Sequence, residues 1–477
     1  MNRIIENYIY NIIYQLFVTA VPIVLSPYLA RVLGAEKIGI YSYINSVASL
    51  VSTIALLGTY NYGCRQIAYI RDDKVRVNEM YYQIFTFRCI LGIVCTILYF
   101  VIAVTSKYPT YFFIYYTWIL ASFIDPSWLF VGEEDMRPTV VKNFFIKVGS
   151  VLLIFLFVKQ ETDLWKYVCI LGLSTLIANS ILIIQTRKYV GRFVLKFSGW
   201  NEIVRGSLYL FWPQATTMVY LQFNKIMLNF ITEDTKQVSF YDYTEKLVTI
   251  PLTFITVLST VMMPRIANDY AKGEGQKMRE SLVLAGQFSL MLAIPLSLGI
   301  ASIAEKLIPW YLGKEFIPTI YGIIFMSPII ILNSLAGISG SQYFTATNQI
   351  NILLKSYISA AIINVLANIV LIPKYGFVGS AISIVIASMI SIGIQYWYMN
   401  KQIKVGEFWF YGLKYLLSAL PMIAGVFLLG SIMPANPLTT FVQIIIGAFL
   451  YLAILLLSRD KILFKIISKS KAIIKRK

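Results

Sequence analysis

The sequence predicts an all-α, polytopic membrane protein of about fourteen spans. Three observations carry this. Apolar windows of about twenty residues recur from end to end, the length that crosses a hydrocarbon core about 30 Å thick. Only 13% of the 477 residues are charged against 58% apolar, roughly half the charged share of about 25% in a soluble domain. The 41 basic residues punctuate the apolar windows instead of sharing one face.

Taken in order, the windows give spans at 9–31, 38–60, 83–104, 111–131, 143–159, 166–186, 207–231, 237–263, 281–304, 317–339, 351–372, 377–399, 411–432 and 438–457. The segment before the first carries Arg3 and Glu6, and the span itself is interrupted by Pro22 and Pro27. It lacks a small-residue cleavage site behind a short apolar core, so it reads as an uncleaved first span. Placing the N-terminus inside puts about 27 of the 41 basic residues on the cytoplasmic side, about 9 outside and about 5 within spans, a positive-inside bias. The cytoplasmic connections then lie near 61–82, 187–206 and 264–280, and the external ones are short. An even span count returns the C-terminus to the cytoplasm. Beyond the last span, Lys461, Lys465 and Lys469 recur every four residues with Ile462, Leu463, Ile466 and Ile467 opposite. This spells a basic amphipathic helix for the inner leaflet, with partner binding as the alternative.

Sliding the chain against itself by 200 residues aligns Tyr41 and Tyr43 with Tyr241 and Tyr243, and Arg65 with Arg265. The match superposes spans 1 and 2 on 7 and 8, which predicts two parallel six-span repeats with a substrate path between them. The expected organisation is 1–200 for spans 1–6, 201–400 for spans 7–12, 401–458 for spans 13 and 14, and 459–477 for the basic tail.

A net charge of +18 would suggest nucleic acid if gathered on a soluble face. Distributed as it is, it points to anionic lipid or an anionic substrate. Cys64, Cys89, Cys95 and Cys169 show neither metal-site nor disulfide spacing, and histidine is absent. There is no GxxxxGK[ST], H-E-x-x-H or G-x-S-x-G. No catalytic residue, metal or cofactor is expected, and any work would draw on a proton or sodium gradient, on the substrate's own gradient, or on a partner.

Charged residues inside spans are costly in lipid and are functional candidates by default. The basic ones are Arg88, Lys147, Lys225, Lys246 and Lys414; the acidic ones include Asp125, Asp242 and Glu245. Arg88, Lys147 and Lys414 lie near cytoplasmic ends and can snorkel. Lys225 and Lys246 lie deeper. Asp242 and Lys246 are spaced i,i+4 and either neutralise each other or present a cation to an anionic substrate. Asp125, beside Pro126, is either a helix-break residue or a protonatable carboxylate. Pro22, Pro27, Pro126, Pro213, Pro251, Pro295, Pro328 and Pro421 fall within spans and bend them.

The run Tyr28-Leu-Ala-Arg-Val-Leu-Gly34 followed by Gly39-Ile-Tyr-Ser-Tyr43 resembles the first loop and second span of Wzx-type polysaccharide flippases, in the multidrug/oligosaccharidyl-lipid/polysaccharide exporter superfamily. Further matches are Tyr241 to Pro251, Met263-Pro264-Arg265, and Ile372-Pro-Lys-Tyr-Gly-Phe-Val-Gly379. The resemblance covers essentially the whole chain. It implies two six-helix bundles in a V around a cationic cavity, plus two C-terminal helices, in the bacterial cytoplasmic membrane. The implied substrate is a polyprenyl-diphosphate (undecaprenyl-type) oligosaccharide repeat unit, moved to the outer leaflet for capsule, exopolysaccharide or O-antigen synthesis. Membrane lipids, a polymerase and a chain-length protein are the implied partners. The related lipid II flippases carry an acidic–basic pair in span 8 at a position similar to Glu245 and Lys246. Lys225 matches the family's basic position in span 7, where Asn224 replaces a common Asp; Arg31 matches an Arg at the end of span 1. The implied mechanism has Lys246, Lys225, Arg31 and Arg88 meeting the diphosphate, and Glu245, Asp242 or Asp125 coupling the cycle. Two rival readings are a cation-coupled multidrug exporter of the same superfamily and a membrane polymerase or glycosyltransferase. Deep lysines weigh against the first, and short external loops against the second.

Overall fold

Inside a bilayer every backbone N–H and C=O must find its partner within the chain, so apolar windows that enter it become helices. The computed structural model describes the backbone of residues 2–194, 196, 199–460 and 462–464. It describes side chains over the same range from residue 21, apart from 213, 214, 216, 217, 219, 220, 254, 256–261 and 265. The described residues are helical almost throughout, with no strand among them.

The chain forms two compact units, Met1–Ser239 and Phe240–Lys477. The first holds α1 (Asn2–Leu56), α2 (Thr59–Ile70), α3 (Lys74–Thr105), α4 (Pro109–Phe123), α5 (Ser127–Gly132), α6 (Arg137–Phe157), α7 (Leu164–Thr186) and α8 (Trp200–Thr232). The boundary falls just inside α9 (Thr235–Ala271), a whole helix later than the expected 200/201 division, because α8 packs on α1 and α2. The second unit continues with α10 (Gly275–Tyr311), α11 (Thr319–Met326), α12 (Ile329–Ala336), a π-helical segment Gly337–Thr345, α13 (Ile350–Gln402), α14 (Glu407–Ile432) and α15 (Pro437–Leu457). Within it α10 is the hub, touched by α11, α12, α14 and α15, so spans 13 and 14 are packed into this unit.

All fourteen expected spans fall on helices. Nine stretches of the described residues are long and apolar enough to cross a membrane, and two of them, Val21–Ile70 and Ile350–Gln402, hold two expected spans each. The others are the α4–α5 pair, α8 and α9. Each double-length stretch turns at a glycine. Gly376 takes φ 56°, and a Cβ on Gly379 would lie 2.3 Å from the Leu371 carbonyl oxygen. Eight residues of straight helix would span about 12 Å, so the chain doubles back there. Gly34 takes φ 70°. On either side of it, Tyr28 donates to the Val158 carbonyl at 2.6 Å and Tyr41 packs on Tyr167 at 4.8 Å, so both arms meet one α6–α7 hairpin.

Ion pairs between connections join loops that the alternation of spans puts on one side. Lys107 meets Glu233 on the side read as external. Arg71–Glu134, Lys188–Asp135, Lys196–Glu79, Arg279–Glu407 and Lys414–Asp460 lie on the other. The expected cytoplasmic connections at 61–82 and 264–280 are mostly helix, since α2, α3, α9 and α10 run on past their apolar windows. Burial is inverted as lipid requires: on α3, Ile93, Ile97, Val101 and Val104 are exposed, while Gln83, Arg88 and Tyr99 face the protein.

The two units repeat local details. Tyr43 packs edge-on against Phe112 at the start of span 4, and Tyr243 against Phe316 at the start of span 10. Span 4 breaks at Pro126 and span 10 at Pro328. The side chain of Arg265 and most of the basic tail, including Lys461, Lys465 and Lys469, lie outside the described residues. At the tail's start, Ile462 is buried in the core of the second unit.

Candidate functional site: charged side chains within the spans

Pro126 has no N–H to give the Ser122 carbonyl, and the break it causes also frees the Asp125 carbonyl. Arg88, from the preceding span, supplies both: Nη2 donates to Ser122 O at 2.9 Å and Nη1 to Asp125 O at 2.7 Å. Its side chain is 1% exposed. Arg88 therefore does not snorkel, and its guanidinium closes the break in span 4 instead of facing a ligand; the rotation of α3 turns it inward. The Asp125 carboxylate accepts from the Ser127 N–H at 3.1 Å and from the Ser127 hydroxyl, starting α5 after the break. Of the two readings left open for Asp125, the helix-break role is the one its contacts describe.

Sequence reasoning missed the rest of this cluster. Lys142 is nearly buried; its Nζ donates to Asn179 Oδ1 at 2.8 Å and stands 3.9 Å from Asp125 Oδ1. Asn179 in turn donates to the Ala121 carbonyl at 2.8 Å. Lys142 lies one residue before the expected fifth span, so no charge-in-span rule selected it. Span 10 handles its break without charge: the Ser327 hydroxyl donates to Ile324 O, the carbonyl that Pro328 leaves without its N–H, at 3.2 Å, and Ser297 donates to Ser327 O at 2.8 Å.

On α9 one helical turn brings Asp242 and Lys246 together, Nζ to Oδ2 2.6 Å, with the Tyr243 ring 5.1 Å from the ammonium. The Asp242 side chain is 5% exposed and that of Lys246 39%. The aspartate is thus built into the protein, and the lysine it holds keeps an open side. Glu245, the residue before Lys246, is partly buried. In the first unit Lys225 is buried at 6% beside fully buried Asn224, while Arg31 is exposed just before the Gly34 turn. Lys414 reaches a fixed partner, Asp460, at 2.5 Å. A crevice of about 570 Å³ lined by Asp269, Lys277, Arg279, Glu407 and Tyr411 contains none of these candidates. Its Lys277 and Arg279 are paired with Glu274 and Glu407.

A bundle of polytopic helices with charges held on its inner faces is the architecture of a membrane transporter. The sequence profile of the family described as "Polysaccharide biosynthesis protein" matches residues 4–270, and that of "Lipid II flippase MurJ" matches residues 142–449. The chain belongs to the polysaccharide biosynthesis protein family, and with it to the Wzx-type flippases of the multidrug/oligosaccharidyl-lipid/polysaccharide exporter superfamily. A protein of Shigella dysenteriae that carries the name O-antigen transporter is 26% identical over 384 residues, 78% of this chain and 93% of the relative. Among solved structures, a lipid II flippase MurJ in an inward closed conformation superposes with a TM-score of 0.71 at 15% identity, over 95% of this chain and 99% of that one. An outward-facing multidrug resistance MATE family transporter gives 0.54 at 13% identity, over 84% and 94%. These last two establish the fold.

Proposed function

We propose that this flippase moves a polyprenyl-diphosphate-linked oligosaccharide repeat unit from the cytoplasmic to the outer leaflet by alternating access. It is a multi-pass membrane protein whose relatives are transporters and not catalysts. The family membership supports a lipid-linked oligosaccharide as the substrate. The MATE-like neighbours share the fold alone, and the drug-exporter reading has no further support.

One observation carries the reading: Lys246, half-open and held by a buried aspartate on α9. Its position, eleven residues along from Thr235, lies about 16 Å into the helix and inside the expected span 237–263. A cation within a span attracts a diphosphate strongly, because the local dielectric is low. In this reading Lys246 meets the diphosphate, Lys225 and Arg31 are further cations for the same class of substrate, and the prenyl chain stays in lipid. Glu245 would exchange a proton or sodium ion to reset the cycle. The setting is a bacterial cytoplasmic membrane with both termini inside, serving capsule, exopolysaccharide or O-antigen assembly beside a polymerase and a chain-length partner.

The test is reconstitution. Vesicles holding the purified protein and a lipid-linked oligosaccharide in the inner leaflet should expose the sugar to an external glycosidase within minutes. Exposure no faster than in protein-free vesicles would overturn the proposal.

A further inference from the structure

The connection from α13 to α14 closes over a shallow apolar groove of about 330 Å³, lined by Gly393, Tyr396, Trp397, Asn400, Val405 and Trp409 among others. Its floor is open because a side chain at Gly393 would meet nothing within 4 Å. Its back wall is fixed: Tyr396 is 7% exposed, donates to the Leu335 carbonyl at 3.3 Å and packs edge-on against Phe408. Asn400 accepts from the Val405 N–H at 3.0 Å, which holds the connection in shape. The two indoles at the mouth remain exposed, Trp397 at 55% and Trp409 at 68%.

Charge marks the rim. Lys401, one helical turn after Trp397, places its Nζ 3.4 Å from the centroid of that indole, and exposed Lys404 directly precedes Val405. The nearby acidic residue, Glu407, is paired with Arg279, so the rim keeps an excess of two positive charges. Indoles beside lysines mark a membrane–water interface. A lysine resting on an aromatic face keeps its outer hydrogens for an acceptor. The groove is too apolar for a free anion and too strongly charged at its rim for a hydrocarbon chain alone.

We propose that this groove is a binding site for one anionic phospholipid of the surrounding bilayer, its acyl chain along Gly393, Trp397 and Trp409 and its phosphate on Lys401 and Lys404. The site is distinct from the charged residues on α9, and it does not depend on which oligosaccharide is carried.

Native mass spectrometry of the full-length protein in detergent, with added phosphatidylglycerol or phosphatidylcholine of matched chains, tests this. One phosphatidylglycerol should survive activation that strips phosphatidylcholine. The double variant Lys401→Ala/Lys404→Ala, altered only at exposed positions, should weaken its retention about tenfold. Gly393→Leu should remove the preference by filling the floor; unchanged retention in that variant overturns the acyl-chain placement. Equal retention of the two lipids by the wild-type protein, or full retention by the lysine double variant, overturns the proposal. So does displacement of the bound lipid by an equimolar polyprenyl diphosphate, which would make the groove a substrate station.

Discussion

A lysine in the middle of a span is costly unless something holds its charge, and Asp242 does so for Lys246 across one turn of α9. Asp242→Asn should slow translocation several-fold by freeing the lysine to reorient, with Asp242→Glu restoring much of the rate in reconstituted vesicles. Lys246→Arg, which keeps the charge, should retain more activity than Lys246→Gln. The pair was legible from its i,i+4 spacing; that the aspartate is the buried member was not, because spacing does not reveal which side of a helix faces protein. Asp460 illustrates a charge outside the spans. Burial pushes its carboxyl up, but the Lys414 ammonium and the N–H groups of Leu463 and Ile462 outweigh that and hold it below the usual carboxylate range. A depressed folded pKa gives stability that is complete above the unfolded value near 4 and lost as pH falls through the folded one. Asp460→Asn should therefore lower stability by about 1–2 kcal/mol at pH 7. The gap to wild type should close below about pH 4, as thermal unfolding in detergent at the two pH values would show.

At the scale of elements, Gly34 and Gly376 make turns and Pro126 and Pro328 make breaks, while α1, α9, α10 and α14 run on through their prolines. Gly379 is packed so closely on Leu371 that Gly379→Ala should force the α13 hairpin apart and cost about 1–3 kcal/mol, seen as a lower melting temperature or poor membrane yield. Pro126 and Pro328 were legible as bends, but not what satisfies the carbonyls they release. In span 4 that partner is Arg88, whose inward rotation follows from packing of α3 and is invisible in hydropathy. Arg88→Ala should leave two buried carbonyls unpaired and destabilise the protein by roughly 2–3 kcal/mol. Binding of a diphosphate lipid to the folded variant should change little; a selective loss of binding at unchanged stability would return Arg88 to the substrate path. Lys142 escaped sequence reasoning because a span boundary misplaced by one residue removes a charge from the list of those in lipid, and Asn179 because it carries no charge.

For the whole molecule, the approximate number of spans could be read from apolar windows, because a bilayer imposes a fixed length on every crossing. The division into units could not, because it depends on α8 packing with α1 and α2 and not on any sequence signal at residue 200. Fold alone does not separate a lipid-linked sugar carrier from a drug exporter, since solved structures of both kinds superpose on this chain. In the proposed mechanism the two kinds differ in the charge presented to the substrate within the spans, and Lys246 is the residue that presents it here. The most direct measurement is the rate at which a lipid-linked oligosaccharide becomes accessible outside sealed vesicles, compared for wild type and Lys246→Ala inserted at equal density. The expected result is rapid exposure by the wild type and a rate indistinguishable from empty vesicles for the variant. Equal rates for the two proteins would contradict the account.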